Sequence, residues 1–149
     1  MSLLQKLDDD LKSSLKTSDR IRVSVIRMAK AALKNRQIAK GSALSDDEIL
    51  SVLSSLAKQN RESIDQFLQG GRKDLAEKEQ QELAIIQSYL PQQLSGEEID
   101  RIIGEAIQES AAQGPQDIGK LMRLVMPRIK GAADGSIVNK RAREILETI

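Results

Sequence analysis

The sequence is most informative in what it lacks, because it contains no cysteine, histidine or tryptophan, and one tyrosine and one phenylalanine among 149 residues. Without histidine and cysteine, the commonest general base, the thiol nucleophile and the usual zinc ligands are missing. The scarcity of aromatic side chains removes the stacking platforms on which binding of single-stranded nucleic acid depends. The composition therefore predicts no catalytic residues, no metal site and no cofactor.

Long apolar runs are also missing. No stretch approaches the roughly 20 apolar residues of a membrane span, and the start MSLLQKLDDDLK has no apolar core of signal-peptide length. The 23 basic and 22 acidic residues nearly cancel to a net charge of +1, so the chain as a whole is not a polycation. We expect no membrane contact and a cytoplasmic location.

What is present is an aliphatic, helix-forming sequence. Hydrophobic residues make up 40% of the chain and recur at helical spacing between clear stop signals, such as Gly41, Gly70-Gly71, Pro91 and Gly114-Pro115. The pattern predicts an all-α fold, with an N-terminal domain of about four helices and a small three-helix C-terminal domain. The predicted domains are residues 1–94 and 95–149, with Pro91 as a hinge.

The segment from Asp117 to Arg143 reads as a basic helix–turn–helix hairpin. Asp117 is placed to cap its first helix, and Pro127 should kink or end that helix. The turn Gly-Ala-Ala-Asp-Gly at 131–135 follows, in which Gly131 and Gly135 can take positive φ and Asp134 can cap the second helix.

Basic residues cluster in two places, the hairpin and the segment from Lys16 to Lys40, where Asp19 is the one acid. Such runs are usually solvated helix faces. The alternative is contact with phosphates, for which the candidate residues are Lys120, Arg123, Arg128, Lys130, Lys140 and Arg141, with Arg20, Arg27 and Lys34 as a second surface. Because aromatics are so few, the RNA would be recognised by the shape and backbone of a folded molecule.

Three stretches carry a family resemblance: VSVIRMAKAALKN at 23–35, GGRKDLAEKEQQELAIIQSYLPQQLSGEEI at 70–99 and DIGKLMRLVMPRIKGAADGSIVNK at 117–140. Together they resemble the GatB/YqeY family, small proteins similar to the tail of the B subunit of the tRNA-dependent amidotransferase. In that enzyme the tail is helical and helps to hold the tRNA, while the amidation chemistry lies in other domains. The family often has glycine at the position of Arg123.

The resemblance implies a non-catalytic tRNA-binding accessory module. A second hypothesis is a protein-interaction module that docks on an aminoacyl-tRNA synthetase or amidotransferase. A carbon–nitrogen ligase activity with glutamine as amido donor would follow from the family label alone. Ser51, Ser54 and Ser55 lie near Lys58 in the sequence, but serines on a polar helix face are far more often solvated than catalytic.

Overall fold

A computed structural model describes residues 2–149, and within that range the chain forms seven α-helices, one short 3-10 turn and no strand. The helices are α1 (Leu3–Lys16), α2 (Arg20–Lys40), α3 (Asp46–Gln69), α4 (Lys73–Gln87), α5 (Gly96–Ser110), α6 (Ile118–Ile129) and α7 (Gly135–Glu147), and the 3-10 turn is Pro115–Asp117. The all-α prediction, with four helices followed by three, is confirmed.

Most helices begin at a polar side chain that accepts a backbone N–H. Ser2 accepts from Gln5, and Asp19 accepts from the N–H of Arg22. Ser45 and Glu48 form a reciprocal capping box, each accepting a backbone N–H of the other. These bonds satisfy N–H groups that the helix itself leaves without partners, so they fix where each helix starts.

The first compact unit runs to Pro91 and contains α1 to α4. Its core is aliphatic, with α3 packed along α4 and α1 along α2. Tyr89 follows α4, is 4% exposed, and its hydroxyl donates to Asp10 Oδ2 at 2.5 Å. This bond ties the end of α4 to α1. The buried core residues are Leu7, Val25, Ile26, Ala29, Leu33, Ile49, Leu53, Ala57, Ile86 and Tyr89.

The second unit, Gln92–Ile149, packs α5, α6 and α7 around its own core. Val125 is fully buried at its centre. The segment before α5 is held to the turn after α6, because the Gln93 side chain donates to Gly131 O and Leu94 N donates to Ala132 O, both at 2.9 Å. The other fully buried side chains of this core are Ile103, Ala106, Leu121, Ile129, Val138, Ala142 and Leu146.

Local expectations around α6 need correction. Within the described residues the Asp117 side chain makes no capping bond to α6; it accepts from the backbone N–H of Gln113 at 2.9 Å instead. The 3-10 turn led by Pro115 supplies the helix start, so the carboxylate is turned back towards the preceding loop. Pro127 does not break the helix at once, since α6 continues to Ile129.

The turn between α6 and α7 uses its two glycines differently. Gly131 has φ +74°, the left-handed conformation expected of it. Gly135 is the first residue of α7 and does not have positive φ, and a Cβ there would lie 3.1 Å from Met126 Cε. Asp134 caps α7 as predicted, with Oδ1 accepting from Ser136 N at 2.9 Å.

Of the three methionines on the apolar faces of α2 and α6, Met122 is buried in the core. Met28 and Met126 are 43% and 45% exposed. Helical spacing alone does not separate an apolar residue inside the stripe from one at its margin.

Candidate nucleic-acid interface

Three of the predicted contact residues form a straight basic stripe on α2, made of Arg20, Arg27 and Lys34. They follow one another at intervals of seven residues, which is nearly two helical turns, so they share one face at about 10 Å spacing along the helix axis. All three are exposed, and no ion pair holds any of them among the residues that the structure describes. α2 itself contains no acidic residue.

Of the four other cations of α2, Arg22, Lys30 and Lys40 have carboxylate partners, and Arg36 has none among the described residues. Arg22 lies 3.6 Å from Asp19, and Lys30 lies 2.5 Å from Asp8. At the C-terminal end Lys40 Nζ lies 2.5 Å from Glu48 Oε1. Together with the Ser45 backbone N–H, Lys40 lowers the pKa of Glu48 to about 2. The charges of Arg22, Lys30 and Lys40 are therefore balanced by nearby carboxylates, whereas those of the basic stripe are not.

The candidate residues of the hairpin divide in the same way. Lys120, Arg123 and Lys140 are exposed, and within residues 2–149 they form no ion pair. Lys120 and Arg123 lie on the outer face of α6, which contains no acidic residue. Lys130 follows the end of α6 and is exposed as well.

Arg128 and Arg141 are engaged with carboxylates, chiefly those of Glu105 and Asp100 on α5. Arg128 donates to Glu105 Oε2 at 2.6 Å. Arg141 donates to both oxygens of Asp100, at 2.8 and 2.9 Å, and to Glu144 at 3.2 Å. The guanidinium groups lower the pKa of Asp100 and of Glu105. A bidentate pair occupies the same donors that a phosphate would need.

Exposed apolar side chains lie beside both basic surfaces. Leu124 and Ile137 are 37% and 58% exposed in the second unit, and Ile38 is 68% exposed at the end of α2. A shallow groove of about 760 Å³ runs between α1 and α2, lined by Leu4, Lys30, Lys34 and Ile38 among others. Both basic surfaces therefore include exposed apolar side chains beside the cations.

No metal or catalytic cluster emerges from the described part of the chain. Within it, no three acidic residues come together as metal ligands would. Of the serines near Lys58, Ser54 has a buried hydroxyl, for which the described residues provide no hydrogen-bond partner. Lys58 is therefore not hydrogen-bonded to that hydroxyl as a base would be. No helix in residues 2–149 is long and apolar enough to cross a membrane.

One buried polar residue, Asn60, was not predicted from the sequence. Asn60 lies on the apolar face of α3, is 5% exposed, and donates to Glu79 on α4 at 2.7 Å. The signal was available, because Asn60 follows Leu53 and Ala57 at helical spacing, where an apolar residue would be expected. A polar residue at such a position requires a buried partner.

Comparison with curated proteins finds fungal relatives. A protein of Pyrenophora tritici-repentis named "Altered inheritance of mitochondria protein 41, mitochondrial" is 30% identical over 97% of this chain and 81% of its own length. Proteins of the same name from Eremothecium gossypii and Saccharomyces cerevisiae are 39% and 36% identical, over 58% and 63% of this chain. The matched regions span 48% and 51% of those two proteins.

These names overturn the cytoplasmic location expected from the sequence, because relatives that align with much of this chain are named mitochondrial proteins. The expectation was wrong for a physical reason. Composition reports whether a chain is suited to water, and it carries no information on which aqueous compartment holds it.

The family assignment rests on most of the chain rather than on one motif. A family model described as "Yqey-like protein" matches residues 4–146, which includes all three resembling stretches and both compact units almost entirely. This chain therefore belongs to the family of Yqey-like proteins.

Proposed function

We propose that this chain is a non-catalytic RNA-binding module that contacts the phosphate backbone of a folded RNA. The observation that carries the proposal is the basic stripe of Arg20, Arg27 and Lys34. The exposed cations of the stripe repel one another, because no carboxylate lies between them. A row of phosphates would offset this repulsion. The spacing of about 10 Å lets each side chain reach a different phosphate group.

The basic residues of the hairpin support the same reading from the other unit. Lys120 and Arg123 project from the acid-free face of α6, Lys130 is exposed at the turn after α6, and Lys140 is exposed on α7. The proposal leaves out Arg128 and Arg141, whose guanidinium groups already donate to Glu105 and Asp100. On the hairpin, the proposed phosphate contacts are therefore Lys120, Arg123, Lys130 and Lys140.

The RNA class comes from the family resemblance rather than from geometry. The likeness of the three sequence stretches to the amidotransferase tail suggests tRNA. The lack of aromatic residues on either surface argues against stacking on exposed bases, and favours contact with the backbone and shape of a folded molecule.

Binding of tRNA at low salt tests the proposal, with a control matched in charge. The variant Arg20→Gln, Arg27→Gln, Lys34→Gln removes three charges from the basic stripe. The control Arg72→Gln, Arg128→Gln, Arg141→Gln removes three charges that have carboxylate partners. We expect tenfold or greater weakening in the stripe variant and little change in the control, with melting temperatures near that of the wild type, because exposed charges add little stability. Equal weakening of tRNA binding in both variants would mean that binding depends on net charge and not on the basic stripe.

A second candidate, docking on a protein partner, is favoured by one observation. Leu4 and Ile38 are exposed at the groove between α1 and α2, where an amphipathic segment of a synthetase or amidotransferase could bury them. The two hypotheses differ in their response to salt and to apolar substitution. Ile38→Ser should abolish docking and leave RNA binding intact.

A further inference from the structure

A small acidic cavity lies between α3 and α4 in the first unit, with Met28 of α2 also contributing to its wall. It has a volume of about 180 Å³ and is lined by Met28, Leu56, Gln59, Asn60, Ser63, Glu79 and Glu82. The volume corresponds to several water molecules at roughly 30 Å³ each, which is space for a short alkyl chain with a polar head.

The polar wall of the cavity is organised by Asn60. Its Nδ2 donates to Glu79 Oε2 at 2.7 Å and reaches Glu82 Oε2 at 3.5 Å, so the amide holds both carboxylates on one side. Its Oδ1 is buried, and the described residues offer it no hydrogen-bond partner. A buried acceptor without a donor is unfavourable, so a ligand that donates a hydrogen bond to Oδ1 would be stabilised here.

The charge of the cavity is only weakly compensated, because the nearby Lys78 opposes the rise in the pKa of Glu82 without outweighing it. No cation of the described chain forms an ion pair within 4 Å of Glu79 or Glu82, whereas the partly buried Glu48 is paired with Lys40. Burial, followed by the neighbouring Glu79 carboxylate, raises the pKa of Glu82. The two carboxylates keep acceptor sites that the single Asn60 amide group does not fill.

We propose that this cavity binds a primary alkylammonium group. An ammonium carries three N–H donors, which match the two carboxylates and the orphan amide oxygen, and it supplies the missing positive charge. Met28 and Leu56 provide apolar walls along which an alkyl stem packs. A divalent metal fits less well, since Mg²⁺ requires near-octahedral oxygen coordination and Met28 and Leu56 line part of the cavity with apolar atoms.

The ammonium group belongs either to a free alkylamine or to a lysine side chain of a partner protein. Both present the same ammonium group on an alkyl chain. The test is an NMR titration of the full-length protein at neutral pH with butylammonium chloride, following the side-chain amide signals of Asn60. We expect saturable shifts, with a dissociation constant on the order of 1 mM for so small a ligand. A lysine-containing peptide capped at both ends serves as the second arm: tighter binding than butylammonium identifies a protein source, and weaker binding a free amine.

Two controls make the titration decisive. Tetramethylammonium carries the same charge without N–H donors and should produce no saturable shift. Glu79→Gln, Glu82→Gln should weaken butylammonium binding at least tenfold, while the charge-matched Glu62→Gln, Glu77→Gln, which changes exposed residues, should not. If the first double variant does not fold, the comparison of the two cations in the wild type still decides. Linear shifts, equal response to tetramethylammonium, or saturation by Mg²⁺ at lower concentration would overturn the proposal.

Discussion

At the scale of single residues, partners decide what each charged side chain can do. Lys34 and Lys40 lie on the same helix six residues apart, yet Lys40 is bound to Glu48 and Lys34 has no ion pair within the described chain. The sequence shows both as basic, and only the fold reveals which charges are compensated.

Glu48 gives a pH-dependent prediction at this scale. Its pKa is lowered to about 2 by Lys40 and the Ser45 N–H, so its contribution to stability is complete above the ordinary value of 4.5 and is lost as the pH falls through about 2. Glu48→Gln should therefore lower the free energy of unfolding at pH 7, and the difference from the wild type should shrink towards pH 2. Urea unfolding of both proteins at several pH values measures this difference in the free energy of unfolding. Glu62→Gln on the same helix is the control, and a difference that does not change with pH would contradict the assignment.

Val125 gives a prediction about the core of the second unit. Val125→Asp places a carboxylate at a fully buried site without a partner, which should destabilise the unit by roughly 3–5 kcal/mol. Thermal unfolding of the full-length chain followed by circular dichroism should show an early transition that the wild type lacks. A melting curve that matches the wild type would mean that Val125 is not in the core.

At the scale of helices and turns, the sequence predicted most of the fold because its stop signals are strong. Ser45 and Glu48, which have capping-box spacing, form a capping box, while Ser95 caps α5 without the reciprocal backbone bond. The role of Asp117 could not be foreseen, since whether its carboxylate points along α6 or back to Gln113 depends on the 3-10 turn between them.

The candidate sites were less predictable than the helices. Helical spacing predicts that Arg20, Arg27 and Lys34 share a face, and the structure agrees. The pairing of Arg141 with Asp100 joins residues 41 positions apart in the sequence, and Asn60 meets Glu79 across 19 positions. Contacts of that range depend on how helices pack, which periodicity within one helix does not specify.

The two glycines of the turn after α6 yield a paired prediction. Gly131→Ala forces a Cβ into the left-handed region and should destabilise the protein by about 1 kcal/mol. Gly135→Ala meets only the end of the Met126 side chain, which is exposed enough to move, so its effect should stay within about 0.5 kcal/mol. Urea unfolding of both variants compares them directly, and an inverted order would show that the turn is misassigned.

At the scale of the whole molecule, the chain divides into two compact units at Pro91 and Gln92. We expect limited proteolysis to cut first at the exposed residues 91–93, with a second site near 113–116. Gel electrophoresis with mass determination of the fragments reads out the order. Early cuts within α3, for instance between 50 and 68, would contradict the continuous helix.

The central claim is that the two basic surfaces contact RNA phosphates, and the salt dependence of tRNA affinity tests it most directly. Each phosphate contact releases counterions and adds roughly 0.7–0.9 units to the negative slope of log K against log salt concentration. Wild type should show a steep slope. The slope should flatten by roughly two to three units in Arg20→Gln, Arg27→Gln, Lys34→Gln, and by one to two units in Lys120→Gln, Arg123→Gln. Identical slopes in wild type and both variants, or no tRNA binding by the wild type at low salt, would contradict the account.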